Sequence, residues 1–207
     1  MKRRDILRSG AAAVMAGFGP GLARAGAALG CYQGRAGEVS CAVGFPDAPE
    51  IAALESRADC WAGCLAYVLE GYGARISAAS VLRRMERAGT GGDARAIMAA
   101  AGYWTDDAGR RFWLSVRRLG DIRRSGGAAG AIQPLVDTLR RRPLIVGVTG
   151  HSMVLTEMRF SDAPFAPMRR GVLTLRDPWT GTANLRKLAA EEAPERLFAI
   201  DIRIRRA

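Results

Sequence analysis

Ala58-Asp59-Cys60-Trp61-Ala62-Gly63-Cys64-Leu65-Ala66-Tyr67-Val68-Leu69 reads as a helix that starts at a nucleophilic side chain. Asp59 is a residue type that caps helices, because its carboxylate can accept from the free N–H groups of the first turn. Cys60 then occupies the first helical position, where the positive end of the helix dipole favours thiolate over thiol. Leu65, Val68, Leu69 and Tyr72 supply an apolar stripe, and Gly71 and Gly73 end the helix. Cys64 lies one turn beyond Cys60. Side chains so spaced stand about 5–6 Å apart at Cβ, too far for easy bridging, so Cys64 is expected as a small core residue.

C-terminal to this helix, Ser77 is placed to cap a second one over 78–88, with Val81, Leu82 and Met85 inward. A Gly-rich loop at 89–92 leads to a short helix over 94–101, with Ile97 and Met98 in the core. Residues 111–116 form the first expected strand, and 120–130 a flexible loop. A fourth helix spans 131–141, with Pro134 in its first turn and Pro143 after its end. From there the pattern changes to strands, at 144–149, 151–158, 171–176 and 198–204. Helices first and strands later predict an α+β fold, with N-terminal helices packed on a C-terminal antiparallel sheet. There is no internal repeat, and no domain break after residue 25.

N-terminal to the helix, residues 26–50 are rich in Gly, Ala and Pro without a period and read as an irregular surface arm. Residues 1–25 read as a leader. Met1-Lys2-Arg3-Arg4-Asp5-Ile6-Leu7-Arg8 is a basic segment with paired arginines and resembles the twin-arginine export signal. The apolar stretch at 11–22 is short and broken by Gly17, Gly19, Pro20 and Gly21, and Ala23-Arg24-Ala25 fits a cleavage site. Ala25-Gly26-Ala27 is the second choice. The expected location is periplasmic or secreted. No run of 18 apolar residues occurs, so no stable membrane insertion is expected.

Export permits disulfides. Cys31 and Cys41 flank a short loop and are placed to pair, leaving Cys60 free; the alternative pairs Cys64 with one of these two. The 207-residue chain carries a net charge of +11. Lys2, Arg3, Arg4, Arg8 and Arg24 against Asp5 give the leader +4, which leaves +7 for the rest. Arg123-Arg124, Arg140-Arg141-Arg142, Arg169-Arg170 and Arg205-Arg206 are scattered and do not make one stripe with interleaved aromatics. They read as a solvated surface rather than a nucleic-acid interface. Asp106, Asp107 and Asp121 lack His or Cys partners nearby in sequence, so no metal site is expected. Trp61 is assigned to packing behind Cys60, Trp104 and Trp113 to packing elsewhere, and Trp179 to a wall beside His151 or to core.

His151, the only histidine, stands in Gly150-His151-Ser152-Met153-Val154-Leu155, and Asp177 in Arg176-Asp177-Pro178-Trp179. A thiol attacks acyl groups well only as the thiolate, which an imidazole can generate as a thiolate–imidazolium pair. An acid accepting from the other ring nitrogen orients that imidazole. If His151 opens one strand and Asp177 closes a neighbouring antiparallel strand, both lie at one end of the sheet.

These three motifs, in this order across roughly residues 54–180, resemble the bacterial papain-like cysteine proteases. The nearest groups are the avirulence-effector type and the peptidase C39-like family. The resemblance implies a papain-like fold over 51–207 and a Cys60, His151, Asp177 triad. It also implies hydrolysis of peptide bonds through a thioester, on a protein or peptide substrate and without cofactor or metal. One departure is plain. These families usually carry a Gln about six residues before the Cys, donating to the oxyanion; here Leu54 stands there, beside Glu55. Gln33 and the backbone N–H of Cys60 are the remaining candidate donors. NlpC/P60-type cell-wall amidases also begin a helix with Asp-Cys but usually continue Ser-Gly. Transglutaminase-like enzymes usually have a shorter Cys-to-His spacing. A catalytically weak or inactive domain that binds peptides in the cleft is the non-enzymatic alternative.

Overall fold

The computed structural model describes residues 28–33, 39–86, 94–122, 133–148, 150–163, 166–188 and 197–206. The expected leader at 1–25 and the loop at 89–92 lie outside the described residues.

The strand β6 (His151–Ala163) is the spine of an antiparallel sheet. One of its edges carries β7 (Ala166–Arg176). The other carries β5 (Leu144–Val148) opposite its first half and β2 (Val39–Gly44) opposite its second. Beyond β5 come β9 (Leu197–Arg206), β4 (Arg111–Ile122) and β3 (Gly102–Thr105). Beyond β2 lies β1 (Ala28–Gln33), and beyond β7 lies β8 (Leu185–Lys187).

Both faces of the central strands are covered, so β5 is apolar throughout rather than alternating. Its side chains still alternate in direction. Ile145 joins Leu65, Leu69, Val154, Ile200 and Ile97 on one face. Leu144 and Val146 join Leu135, Leu139, Met153 and Leu155 on the other. The first face is packed by α1 (Cys60–Gly71), α2 (Ala78–Glu86) and α3 (Ala94–Ala99), the second by α4 (Gln133–Leu139). Ser77 caps α2 as expected: its Oγ accepts from the N–H of Ser80 at 3.1 Å.

Helix α1 departs from the expected single stripe. Every residue from Cys60 to Leu69 is buried, because α1 packs on β5, β6 and β9 of the sheet and also on α2 and α3. A helix apolar all round belongs inside a domain. The 26–50 arm also needs correcting. Val39-Ser40-Cys41-Ala42-Val43 is a strand seated against β6, and Cys31 lies in register with Cys41 and is bonded to it through a disulfide. Four strands, β1 to β4, precede the region where strands were expected to begin in force. The sheet therefore draws on both halves of the chain, and the α+β description holds with that change.

Trp113 packs at the surface rather than in the core: it is 36% exposed and meets the exposed Tyr103 edge-on at 4.7 Å. Cross-strand pairing sets Arg205 opposite Trp113, Arg203 opposite Ser115 and Arg117 opposite Asp201. Pairing thus gathers on one sheet face arginines that stand apart in sequence. Asp201 is buried beneath them and holds Arg142 at 2.7 Å, Arg203 at 2.9 Å and Arg117 at 3.3 Å. Among the described residues, no helix is long and apolar enough to cross a membrane.

Candidate active site

A 3₁₀ turn over Arg57–Asp59 runs straight into α1. It gives Asp59 helical dihedrals, φ −96° and ψ −3°, and its carboxylate makes no capping bond. The expected Asp59 cap is therefore corrected: the side chain of a residue already turned into the helix cannot fold back on the next N–H groups. Cys60 still begins the α-helix. Its backbone N–H donates to the Arg57 carbonyl, and its thiol to the Ser56 carbonyl at 3.8 Å.

His151 opens β6 immediately after Gly150, whose φ of +76° lies in the left-handed region that favours glycine. Asp177 follows the last residue of β7. One of its oxygens, Oδ1, accepts from the N–H of Trp179 at 3.0 Å, an Asx turn made by the Asp-Pro-Trp sequence. The other, Oδ2, accepts from His151 Nε2 at 2.9 Å and from Arg186 Nε at 2.7 Å. Helix α1 meets this turn closely. A Cβ on Gly63 would stand 2.7 Å from Leu54 Cδ1 and 3.5 Å from Pro178 Cβ. Backbone bonds stitch the segment before Cys60 to the segment after Asp177: Leu54 N–H to Pro178 O at 2.6 Å, and Thr180 N–H to Leu54 O at 3.1 Å. The Asn184 amide adds to this by bonding both backbone groups of Ile51.

The three residues named from sequence therefore come together. Donor atoms of Cys60, His151 and Asp177 all lie within 4.8 Å of one another. All three residues are buried, Cys60 at 0% exposure. Burial opposes ionisation of Asp177, but hydrogen bonds from His151, the Trp179 N–H and Arg186 outweigh it and hold the carboxyl down at about 2. An ionised carboxylate only accepts, so Nε2 of His151 carries the ring proton. With the ring proton on Nε2, Nδ1 is the nitrogen that can accept. It is buried and has no hydrogen-bond partner among the described residues. Trp179 stands edge-on to the imidazole at 6.2 Å, the first of the two placements expected for it.

The thiol itself differs from expectation. Burial pushes Cys60 up to about 12; Asp177 and Asp59 add to this and Arg57 opposes it. Desolvation of the anion outweighs the helix dipole here. Cys64 is pushed up by burial as well and is core, as expected.

The expected oxyanion donors are also corrected. The Cys60 N–H is taken by Arg57 O. Gln33 lies on β1, in register with Val39, which pairs with Asp162 at the end of β6 remote from His151. Sequence reading missed Arg186 and Asn184. Each sits in or beside a three-residue strand with no pattern to mark it.

Thiol, imidazole and carboxylate also suit a zinc ion by donor type. The Arg186 guanidinium on Asp177 Oδ2 opposes a second cation at that oxygen. Comparison with family models, with characterised proteins and with solved structures finds no match.

Proposed function

We propose that this chain is an exported, periplasmic or secreted, cysteine peptidase of the papain-like kind, working through Cys60, His151 and Asp177. The observation that carries the reading is the buried cluster itself. Residues far apart in sequence put a thiol, an imidazole and an ionised carboxylate within 4.8 Å, with the imidazole held at Nε2 and open at Nδ1. The Cys31–Cys41 disulfide supports the export part of the proposal.

The chemistry follows from those roles. Nδ1 of His151 takes the Cys60 proton as Sγ bonds to the carbonyl carbon, and the C=O electron pair moves onto oxygen. Asp177 holds the resulting imidazolium through Nε2. Collapse expels the amine, which takes the proton back from His151 and leaves a thioester. Water, losing a proton to His151, attacks the thioester and releases the acid and the thiol. The resting thiol is protonated, so proton transfer belongs to the substrate-bound state.

Labelling of the full chain with iodoacetamide, across pH, tests the reading. The triad requires His151→Ala and Asp177→Asn each to slow labelling at Cys60. A lone buried thiol behaves oppositely toward Asp177→Asn, because removing that negative charge eases its ionisation. Faster labelling in Asp177→Asn, with no effect of His151→Ala, would overturn the peptidase reading.

A second reading has one specific observation in its favour. Both usual oxyanion donors are missing, the Gln from the sequence and the Cys60 N–H through its bond to Arg57 O. Removal of one such donor costs about 10²–10³ in rate. A domain that keeps the cluster but binds peptides with little turnover would label normally and release no product.

A further inference from the structure

Arg57 lies three residues before Cys60, in the 3₁₀ turn that leads into α1. Its side chain is exposed, whereas Cys60, His151 and Asp177 are buried. The guanidinium lies over the Trp179 ring, 5.2 Å from its centroid, and Trp179 in turn borders His151. Arg57 is thus an exposed cation at the edge of the cluster, close enough to Cys60 for its charge to act on the thiol. Among the described residues it makes no side-chain hydrogen bond and no ion pair, although Glu55 and Asp59 flank it in sequence. The other arginine at this site, Arg186, is committed to Asp177 and Met153.

A guanidinium held over an indole face by cation–π attraction keeps its N–H donors available, and their fork matches the two oxygens of a carboxylate. We infer that Arg57 is the anion-binding residue of this site, and that the acyl substrates it takes carry a carboxylate beside the bond that Cys60 attacks. The inference rests on the thiol-hydrolase reading of Cys60. It adds the substrate class: peptides with an acidic side chain or a free terminal carboxylate next to the scissile bond. The contact with Trp179 holds the guanidinium beside the ring that borders His151. The charge of Arg57 also reaches the nucleophile, since it opposes the upward push on the Cys60 thiol.

The test uses two small alkylating reagents of nearly equal size, iodoacetate and iodoacetamide, on the full chain. Their rate ratio at Cys60 reports a cation beside the thiol and cancels changes in thiol ionisation common to both. Relative to wild type, Arg57→Gln and Arg57→Ala should lower the iodoacetate-to-iodoacetamide ratio by about fivefold, the size of one partly exposed charge contact. Arg57→Lys should keep most of it, and salt should lower it in wild type but not in Arg57→Gln. Cys60→Ala identifies the labelled site. An unchanged ratio in Arg57→Gln would overturn this inference while leaving the thiol chemistry standing. Absence of labelling at Cys60 by either reagent would overturn both.

Discussion

Asp177 Oδ2 serves two donors, His151 and Arg186, and the second of these decides how firmly the first is held. Removing one partner of a buried charge leaves the other uncompensated. Arg186→Met should therefore destabilise the fold by about 1 kcal/mol, a share of the roughly 2.7 kcal/mol that a two-unit carboxyl shift represents, since His151 and the Trp179 N–H also hold the carboxylate; the loss is read as a lower urea midpoint. Arg203→Met should cost less, because Asp201 keeps Arg142 and Arg117. The pH dependence has a definite sign. The folded carboxyl of Asp177 is depressed to about 2, below its unfolded value. Its stabilisation is thus present above the unfolded value, about 3.9, and lost as pH falls through the folded one. Arg186→Met raises the folded value, so the loss should begin at higher pH and be smaller in total. Asp106 acts in the same sense. Burial opposes its ionisation, but Arg110 and the N–H groups of Arg75, Ala108 and Arg110 win and hold its carboxyl below the usual range. Cys60, His151 and Asp177 were legible because each stood in a local motif. Arg186 and Arg57 were not, since the roles of these arginines are set by what lies across space from them.

The connection from β5 to β6 fixes where His151 stands, and Gly147 shows how little room it has. A Cβ there would lie 2.6 Å from the His151 carbonyl oxygen and 2.3 Å from Phe198 Cζ. Phe198 can turn; the backbone oxygen of a paired strand cannot move without shifting β6. Gly147→Ala should cost about 2 kcal/mol, in the range of overpacked cores. By moving His151 it should also slow Cys60 labelling in the direction of His151→Ala. A variant destabilised as expected but labelled at the wild-type rate would show that the cluster does not depend on this register. The strands β5, β6, β7 and β9 and all four helices were readable from apolar runs and their punctuation. β3 and β8 are too short for a period to show, and β1 and β2 lie in a Gly- and Ala-rich stretch whose composition argues for loop. What makes β2 a strand is β6 beside it, an interaction that no local pattern carries.

On the scale of the whole molecule, β6 joins two regions with different duties. Its first residue is His151, and near its other end Phe160 pairs with Cys41 of the disulfide. The two are nine positions apart along the strand, about 30 Å. Sequence could offer Cys31 and Cys41 as a pair, but not that the bridge pins an outer strand at the end of the sheet away from the site. Closing a loop of this size, with a sequence separation of 10, restricts the unfolded chain and stabilises by about 2–3 kcal/mol. Reduction should therefore lower the urea midpoint by a corresponding amount. It should leave the Cys60 labelling rate, and its dependence on His151, where they were, because β5, β7 and α1 hold the site end of β6 without help from β1. The comparison needs the Cys31→Ser, Cys41→Ser double variant rather than a reductant in the labelling reaction, since added thiols would consume the alkylating reagent. If that variant lost stability and the His151 dependence together, β6 would be transmitting strain along its length. The disulfide would then belong to the site as much as to the sheet.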